Sequence, residues 1–411
     1  MIAVSPSTVQ ETNLLLRAIW AELRADFNDF RWQLMPRRDG EEKTVWFGWA
    51  QLGFEESVGI GIVYERKGIA THLRIRRCPA EGLPRIEACV RRAEARLGKP
   101  DHFGCTYFVR TTPALRMSAF QNHAFEVTPA GGGLFHVFLR SVSGFDNLDA
   151  GVESLRRVRV FLDSLSFLTN CTFDLLSQAE FEELVHANPE EGPFPARADE
   201  PPLRPDWIDD CPVLNGAITL LPEELAFLER IATDSLSDSD DFLVDAAHHF
   251  HSGRRTEESG QLGITSNDTT EAVLVSYVSA LEVVSLIGAG KADNCSKCGQ
   301  VQYKISERVF KCADGHLGPV FSSLVKKCCT IRSTYLHAGR LTSSRAFFGR
   351  IISQLDPNSP DGVLTNVPNI PLPNLRECAS YCLRRALSAA PRSELDRYNA
   401  GEIDVIDSRN A

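Results

Sequence analysis

Arg332 and His337 stand five positions apart in Ile331-Arg332-Ser333-Thr334-Tyr335-Leu336-His337-Ala338-Gly339, late in a predicted helix that Gly339 closes. A guanidinium binds phosphate oxygens through a planar fork, and an imidazole gives or takes a proton near neutral pH. Cutting RNA needs little more. The ribose 2′-OH is an internal nucleophile, so the protein has to supply only a base, an acid and a cation, and no metal or other cofactor is demanded. On an ideal helix the two positions lie about 140° apart and flank a groove rather than share a stripe. One subunit therefore offers an incomplete site. A two-fold related copy would bring two Arg and two His to one cleft, which makes a homodimer the expected assembly. In the last turn, unpaired carbonyls favour the protonated imidazole, which suits His337 to donating a proton to the leaving 5′-oxygen.

The neighbourhood supplies supporting groups. Glu282 is the one charge between Ala272 and Ile287, in a helix otherwise nearly all apolar. A carboxylate there needs a partner, and orienting Arg332 or His337 from a neighbouring helix is one use for it; a wet edge is the other. Lys326, Lys327, Arg332, Arg340, Arg345 and Arg350 occur in a stretch without Asp or Glu. Lys326, Lys327 and Arg345 are thus candidate RNA contacts, with Ser333, Tyr335 and Arg340 as supporting positions.

Elements to carry these residues can be read along the chain. The 411 residues suggest two domains plus connecting segments. Residues 11–27 recur at helical spacing; 44–52, 58–64 and 69–75 are β-branched and aromatic runs; 84–97 is a second helix; 103–111, 124–127 and 133–139 are further strands, with Gly131-Gly132-Gly133 as a turn. Residues 1–145 therefore read as an N-terminal α+β domain, a mixed α/β-sheet unit. A connecting helical segment, 146–188, holds a helix at 148–168, a short strand at 171–176 and a helix at 178–187. Pro189–Pro212 is rich in proline and acid, so 189–214 reads as a linker.

From 215 to 392 the strand signal disappears. Helices are expected from Leu221, over 237–250, from Asp268 to Ile287 before Gly288, and over 303–312, 319–337, 341–355 and 375–389. Together they make an all-α bundle, and 393–411 is left as a tail.

Three segments of that bundle, in order, resemble a known family. Glu271–Ile287 with its Ser279-Ala280-Leu281-Glu282, then Tyr303-Lys304-Ile305-Ser306-Glu307-Arg308-Val309, then Ile331–Gly339 are similar to the Apea-like branch of the HEPN (higher eukaryote and prokaryote nucleotide-binding) helical bundles. The resemblance implies a dimeric, metal-independent endoribonuclease in which Arg332 and His337 are catalytic and the ends left are 2′,3′-cyclic phosphates. It also implies a toxin-like or anti-phage role with RNA as substrate, and a phage-derived trigger or a cognate inhibitor as partner. Many active members carry Asn, Asp or His directly after the Arg, where this chain has Ser333. The alternative reading is a non-catalytic dimerisation or nucleotide-binding module whose N-terminal domain is the sensor.

Composition excludes several other classes. Net charge is −10 with a pI near 5.6, which opposes a sequence-independent grip on nucleic acid by the whole surface. No apolar run is long enough to span a membrane, and no basic, then apolar leader opens the chain, so the cytoplasm is expected. Phosphate-cradling glycine loops, zinc-protease motifs and nucleophile elbows are missing from the sequence. Cys295-x2-Cys298 followed by Cys312-x3-His316 looks like four zinc ligands, but a helix over 303–312 would hold the two halves roughly 15 Å apart. Cys295 and Cys298 with Cys378 and Cys382 form an easier set. His248, His249 and His251, before Gly253, read as solvated or core-edge residues at a helix end.

Overall fold

The computed structural model describes residues 1–187, 213–289, 293–294, 301–302, 304–339, 354–355, 364–365 and 372–389, with short interruptions at 28–29, 40–42, 65–67, 113–115, 118, 215–216, 219 and 263–267. It is a mixed α/β protein with two five-stranded sheets in the N-terminal half and helices in the C-terminal half. Two compact units result: Met1–Cys105 with Ser141–Leu155, and Thr106–Arg140 with Arg156–Ala411. The division runs through the segment read as one N-terminal domain, because residues 106–140 group with the helical half.

In the first unit β1 (Ile2–Ala3), α1 (Val9–Asp26), β2 (Phe30–Asp39), β3 (Thr44–Leu52), β4 (Val58–Tyr64), β5 (Ala70–Arg76) and α2 (Gly82–Ala95) follow in order. The sheet is antiparallel, in the order β1-β5-β4-β3-β2. Thr8 caps α1 by accepting from the Glu11 amide. Leu15, Ile19 and Leu23 of α1 and Ile86, Val90 and Ala93 of α2 recur at three- and four-residue spacing and bury against Val58, Ile60 and Leu73 of the sheet. Sequence reading did not find β2. Pro36 and its flanking charges hide it, and both are tolerated because β2 is an edge strand whose register shifts between Leu34 and Arg37.

The second sheet joins β6 (Asp101–Thr112), β8 (Phe120–Gln121), β9 (Phe125–Gly131), β10 (Leu134–Gly144) and β11 (Thr172–Leu176), in the order β11-β6-β10-β9-β8, while the two-residue β7 (Arg116–Met117) lies outside it. Gly131, Gly132 and Gly133 all have positive φ, so the β9–β10 turn needs glycine there. Helix α3 (Asn147–Thr169) precedes β11, and α4 (Gln178–Ala187) follows it.

The helical half opens with β12 (Val213–Leu214) and β13 (Ala217–Ile218), the latter pairing parallel to β7. It continues through α5 (Pro222–Thr233), α6 (Asp238–Leu262), α7 (Asp268–Val284), β14 (Asp293–Asn294), β15 (Val301–Gln302), α8 (Ile305–Leu317), α9 (Pro319–Ala338), β16 (Gln354–Leu355), β17 (Leu364–Thr365) and α10 (Leu372–Ala389). Helix α7 is central and packs on α6, α8, α9 and α10. Its Leu274, Tyr277, Val278, Leu281 and Val284 are fully buried.

Three expectations for this half are corrected. Short strand pairs interrupt the helices, since β12–β13, β14–β15 and β16–β17 are each joined antiparallel. The helix expected over 341–355 falls mainly outside the described residues, and its last two positions are strand β16. Helix α6 does not stop near Phe250 but runs through Gly253. A Cβ on Gly253 would meet Tyr277 Cε1 at 2.9 Å, so the glycine lets two helices approach closely instead of ending one. The expected linker and tail, apart from Val213–Leu214, lie outside the described residues.

The histidine cluster has a structural role at His251. The buried ring donates from Nδ1 to Asp163 at 2.6 Å and accepts the Phe173 amide at Nε2, 3.0 Å away, which fixes the neutral form. Burial pulls its pKa below the ordinary value, against Asp163. His248 Nδ1 lies 3.0 Å from the same carboxylate but is exposed. Tyr277 donates to Glu257, which also pairs with Arg254 and Arg376.

Candidate functional site

Helix α9 starts after Gly318, with Pro319 in its first turn, and ends at Gly339, whose φ of 62° and amide bond to the Tyr335 carbonyl make the expected cap. Ser322, Val325, Cys328 and Cys329 are buried at three- and four-residue spacing. Arg332 is the next position of that stripe, so its side chain is directed into the bundle. His337 is off the stripe and exposed.

The stripe meets α7 at Glu282. Arg332 Nη2 is 2.9 Å from Glu282 Oε2, and the two side chains are only 22 % and 17 % exposed. Burial pushes the Glu282 carboxyl above its usual range, opposed by the guanidinium groups of Arg332 and then Arg308. Arg308 comes from α8. Its Nε donates to Ser285 Oγ at 2.9 Å and its Nη2 to the Glu282 carbonyl at 3.4 Å, while the Ser285 hydroxyl donates to that carbonyl at 2.7 Å. Arg332 Nε is buried and has no hydrogen-bond partner among the described residues. Three helices thus hold two guanidiniums on one carboxylate-bearing turn, with one N–H unspent.

Of the residues singled out in the sequence, the structure brings Glu282 and Arg332 together. His337 stands apart: among the described residues no hydrogen bond or ion pair joins it to either of them. Ser333 is exposed and Tyr335 half-buried. Lys326 and Lys327 are exposed, and the Lys326 ammonium sits 5.5 Å from the Phe310 ring centroid of α8. Arg340 and Arg345 lie outside the described residues. Arg308 was not singled out, although it lies in the second family-like segment. Among its partners are a carbonyl and a hydroxyl, groups that carry no charge to read in the sequence.

Cys312, on α8, has the Cys382 thiol and the His316 ring as neighbours. The hydrogen bond from Cys382, with His316 behind it, pulls the Cys312 thiol below its ordinary pKa despite burial. Cys378 and Cys382 are fully buried on α10. Among the described residues, no group of three or more His, Cys, Asp or Glu is arranged to hold a metal ion, and no helix is long and apolar enough to cross a membrane.

No family model matches the chain, and neither does any curated protein or solved structure.

Proposed function

We propose that the helical half is a metal-independent endoribonuclease of HEPN type that works as a homodimer, with Arg332 and His337 as its catalytic pair. The observation that supports this most is the posture of Arg332: anchored by Glu282, with a buried N–H unspent, on the helix whose last turn presents an exposed imidazole. In the reaction the 2′-oxygen attacks phosphorus, its proton passing to the partner's His337, while the bond from phosphorus to the 5′-oxygen breaks and that oxygen takes a proton from His337. Arg332 binds a non-bridging oxygen as charge builds on it. The products are a 2′,3′-cyclic phosphate and a 5′-OH. Such a chain suits a toxin-like or anti-phage effector in the cytoplasm, released by a phage-derived trigger or held by a cognate inhibitor. Its net charge of −10 restrains non-specific RNA binding until then.

The test is incubation of the full chain with total RNA in EDTA, followed by analysis of fragment ends. Cyclic phosphates are expected, with rates falling about 10²–10⁴-fold in Arg332→Ala and in His337→Ala. Equal rates in wild type and both variants would remove the assignment.

A second reading has one observation in its favour: Glu282 already neutralises Arg332. A bundle of this kind that only dimerises or binds a nucleotide would retain RNA or nucleotide without cutting it, leaving sensing to the N-terminal unit.

A further inference from the structure

We propose that the helix-free face of the first sheet, built from β2, β3, β4 and β5, binds single-stranded RNA, stacking unpaired bases on Trp46 and Trp49 and holding phosphates with the arginines around them. This is independent of the ribonuclease reading, because such a face holds a strand whether or not the helical half cuts it.

The argument begins with register. Val58, Ile60, Ile62 and Leu73 share the core with α1 and α2, so the alternate positions of β4 and β5 lie on the other face. Residues directly opposite each other on paired strands share a face. The pairing sets Gln33, Trp49, Gly59 and Arg76 in one row across four strands, and Arg37, Trp46, Gly61 and Arg74 in the next. Arg31, opposite Gln51, extends the face along β2. Within β2 to β5 the one acid is Asp39, at the end of β2. Four arginines thus gather on one side of a sheet in a chain whose net charge is −10. Arg31, Arg37 and Arg76 are exposed, and Arg74 and Trp49 are half-buried, so the face is open to solvent among the described residues.

Glycines make room for the rings. A Cβ on Gly61 would meet Trp46 Cε3 at 2.9 Å, and one on Gly59 would meet Trp49 Cζ3 at 3.1 Å, so each indole lies against a glycine of the next strand. Guanidiniums stack on the same rings. Arg76 Cζ is 4.0 Å from the Trp46 ring centroid, and Arg77 Cζ is 5.1 Å from that of Trp49. A base is as flat as a guanidinium and stacks on an indole in the same way, so a strand can take the place of these side chains while they turn to its phosphates. Trp46 is only 8 % exposed, and its Nε1 is buried without a hydrogen-bond partner among the described residues. An acceptor on the strand would satisfy that N–H once Arg76 moves aside.

The chemistry selects the occupant. Arginines interleaved with flat aromatic rings match a polyanion whose bases are unpaired. A duplex hides the faces of its bases, and an acidic peptide offers charge without a ladder of flat rings. RNA presents unpaired bases in its loops and ends, where they are recognised by stacking on aromatic rings and guanidinium planes.

The test is fluorescence anisotropy with a labelled single-stranded RNA of about twelve nucleotides. The full chain carries Arg332→Ala and His337→Ala, so that neither cutting nor binding at the helical site contributes. It should bind the strand with quenching of its tryptophan fluorescence. Trp49→Ala should weaken binding about 5–150-fold, the equivalent of one lost stack, and Trp49→Phe should restore most of it. Arg37→Gln and Arg76→Gln should each lower the slope of log affinity against log salt by about 0.7. Both lie at exposed positions, and they decide the matter even if Trp49→Ala fails to fold. Absence of binding overturns the proposal, as does binding that none of these variants alters. So does a preference for duplex RNA, for a DNA strand of the same sequence or for polyglutamate of equal charge. Cleavage by the unsubstituted chain is scored separately, so the two readings stand or fall apart.

Discussion

Glu282 and Arg332 form an ion pair across the α7–α9 joint, 2.9 Å between Oε2 and Nη2, at a place where the carboxylate is mostly out of water. Burial outweighs the two nearby guanidiniums and leaves the folded-state pKa of Glu282 raised. A carboxyl with a raised folded pKa binds more protons in the native than in the unfolded state, so stability falls as pH rises from the ordinary glutamate range through the folded value. Denaturation midpoints measured across that acid window should decline more steeply for wild type than for Glu282→Gln. Identical slopes would mean that the carboxyl is not desolvated.

Arg308 should matter although it touches no proposed substrate group. Arg308→Ala removes the donor to Ser285 Oγ and to the Glu282 carbonyl, at an expected cost of about 1.5–3 kcal/mol, the range for hydrogen bonds from a charged group. Urea unfolding of this variant beside Arg308→Lys measures it. If alanine costs nothing, the arginine does not tie α8 to α7.

Gly253→Ala tests the close approach of α6 and α7. The new methyl would press on Tyr277, a fully buried ring whose hydroxyl is held by Glu257 and cannot easily give way. Overpacking of this kind costs about 1–3 kcal/mol, whereas alanine at an exposed helical glycine would stabilise. The sign of the change in thermal midpoint therefore decides it.

His251 contributes the opposite pH dependence from Glu282. Its folded pKa is lowered by burial, so the unfolded chain takes up protons first as pH falls through the ordinary histidine range, and stability is lost on the acid side. His136 and His249, also pulled down chiefly by burial, act with the same sign. The difference between wild type and His251→Gln isolates its share, and that difference should shrink as pH drops from neutral toward 5, since the wild type alone loses this contribution.

What could be read from the sequence follows physical lines. Strands 44–52 and 58–64 were legible because alternating or continuous β-branched and aromatic residues admit one backbone period. Helix α4 and the Gly339 cap were legible for similarly local reasons. β2 was not, because an edge strand tolerates proline and charge that a central one rejects. The second half of α6 was not, because a glycine that admits a neighbouring ring looks the same in sequence as one that ends a helix. At the candidate site, Glu282 declared itself as a lone charge in an apolar helix, and the structure gives it Arg332 as partner. Arg308 stayed hidden because bonds such as those to the Ser285 hydroxyl and the Glu282 carbonyl leave no trace in residue type.

Helix α4 and strand β12 belong to the same compact unit. The parallel β7–β13 pair and the bond from the Phe173 amide to His251 Nε2 both join residues before 188 to residues after 212. A chain cleaved between those two positions would leave two fragments still gripping each other through these contacts.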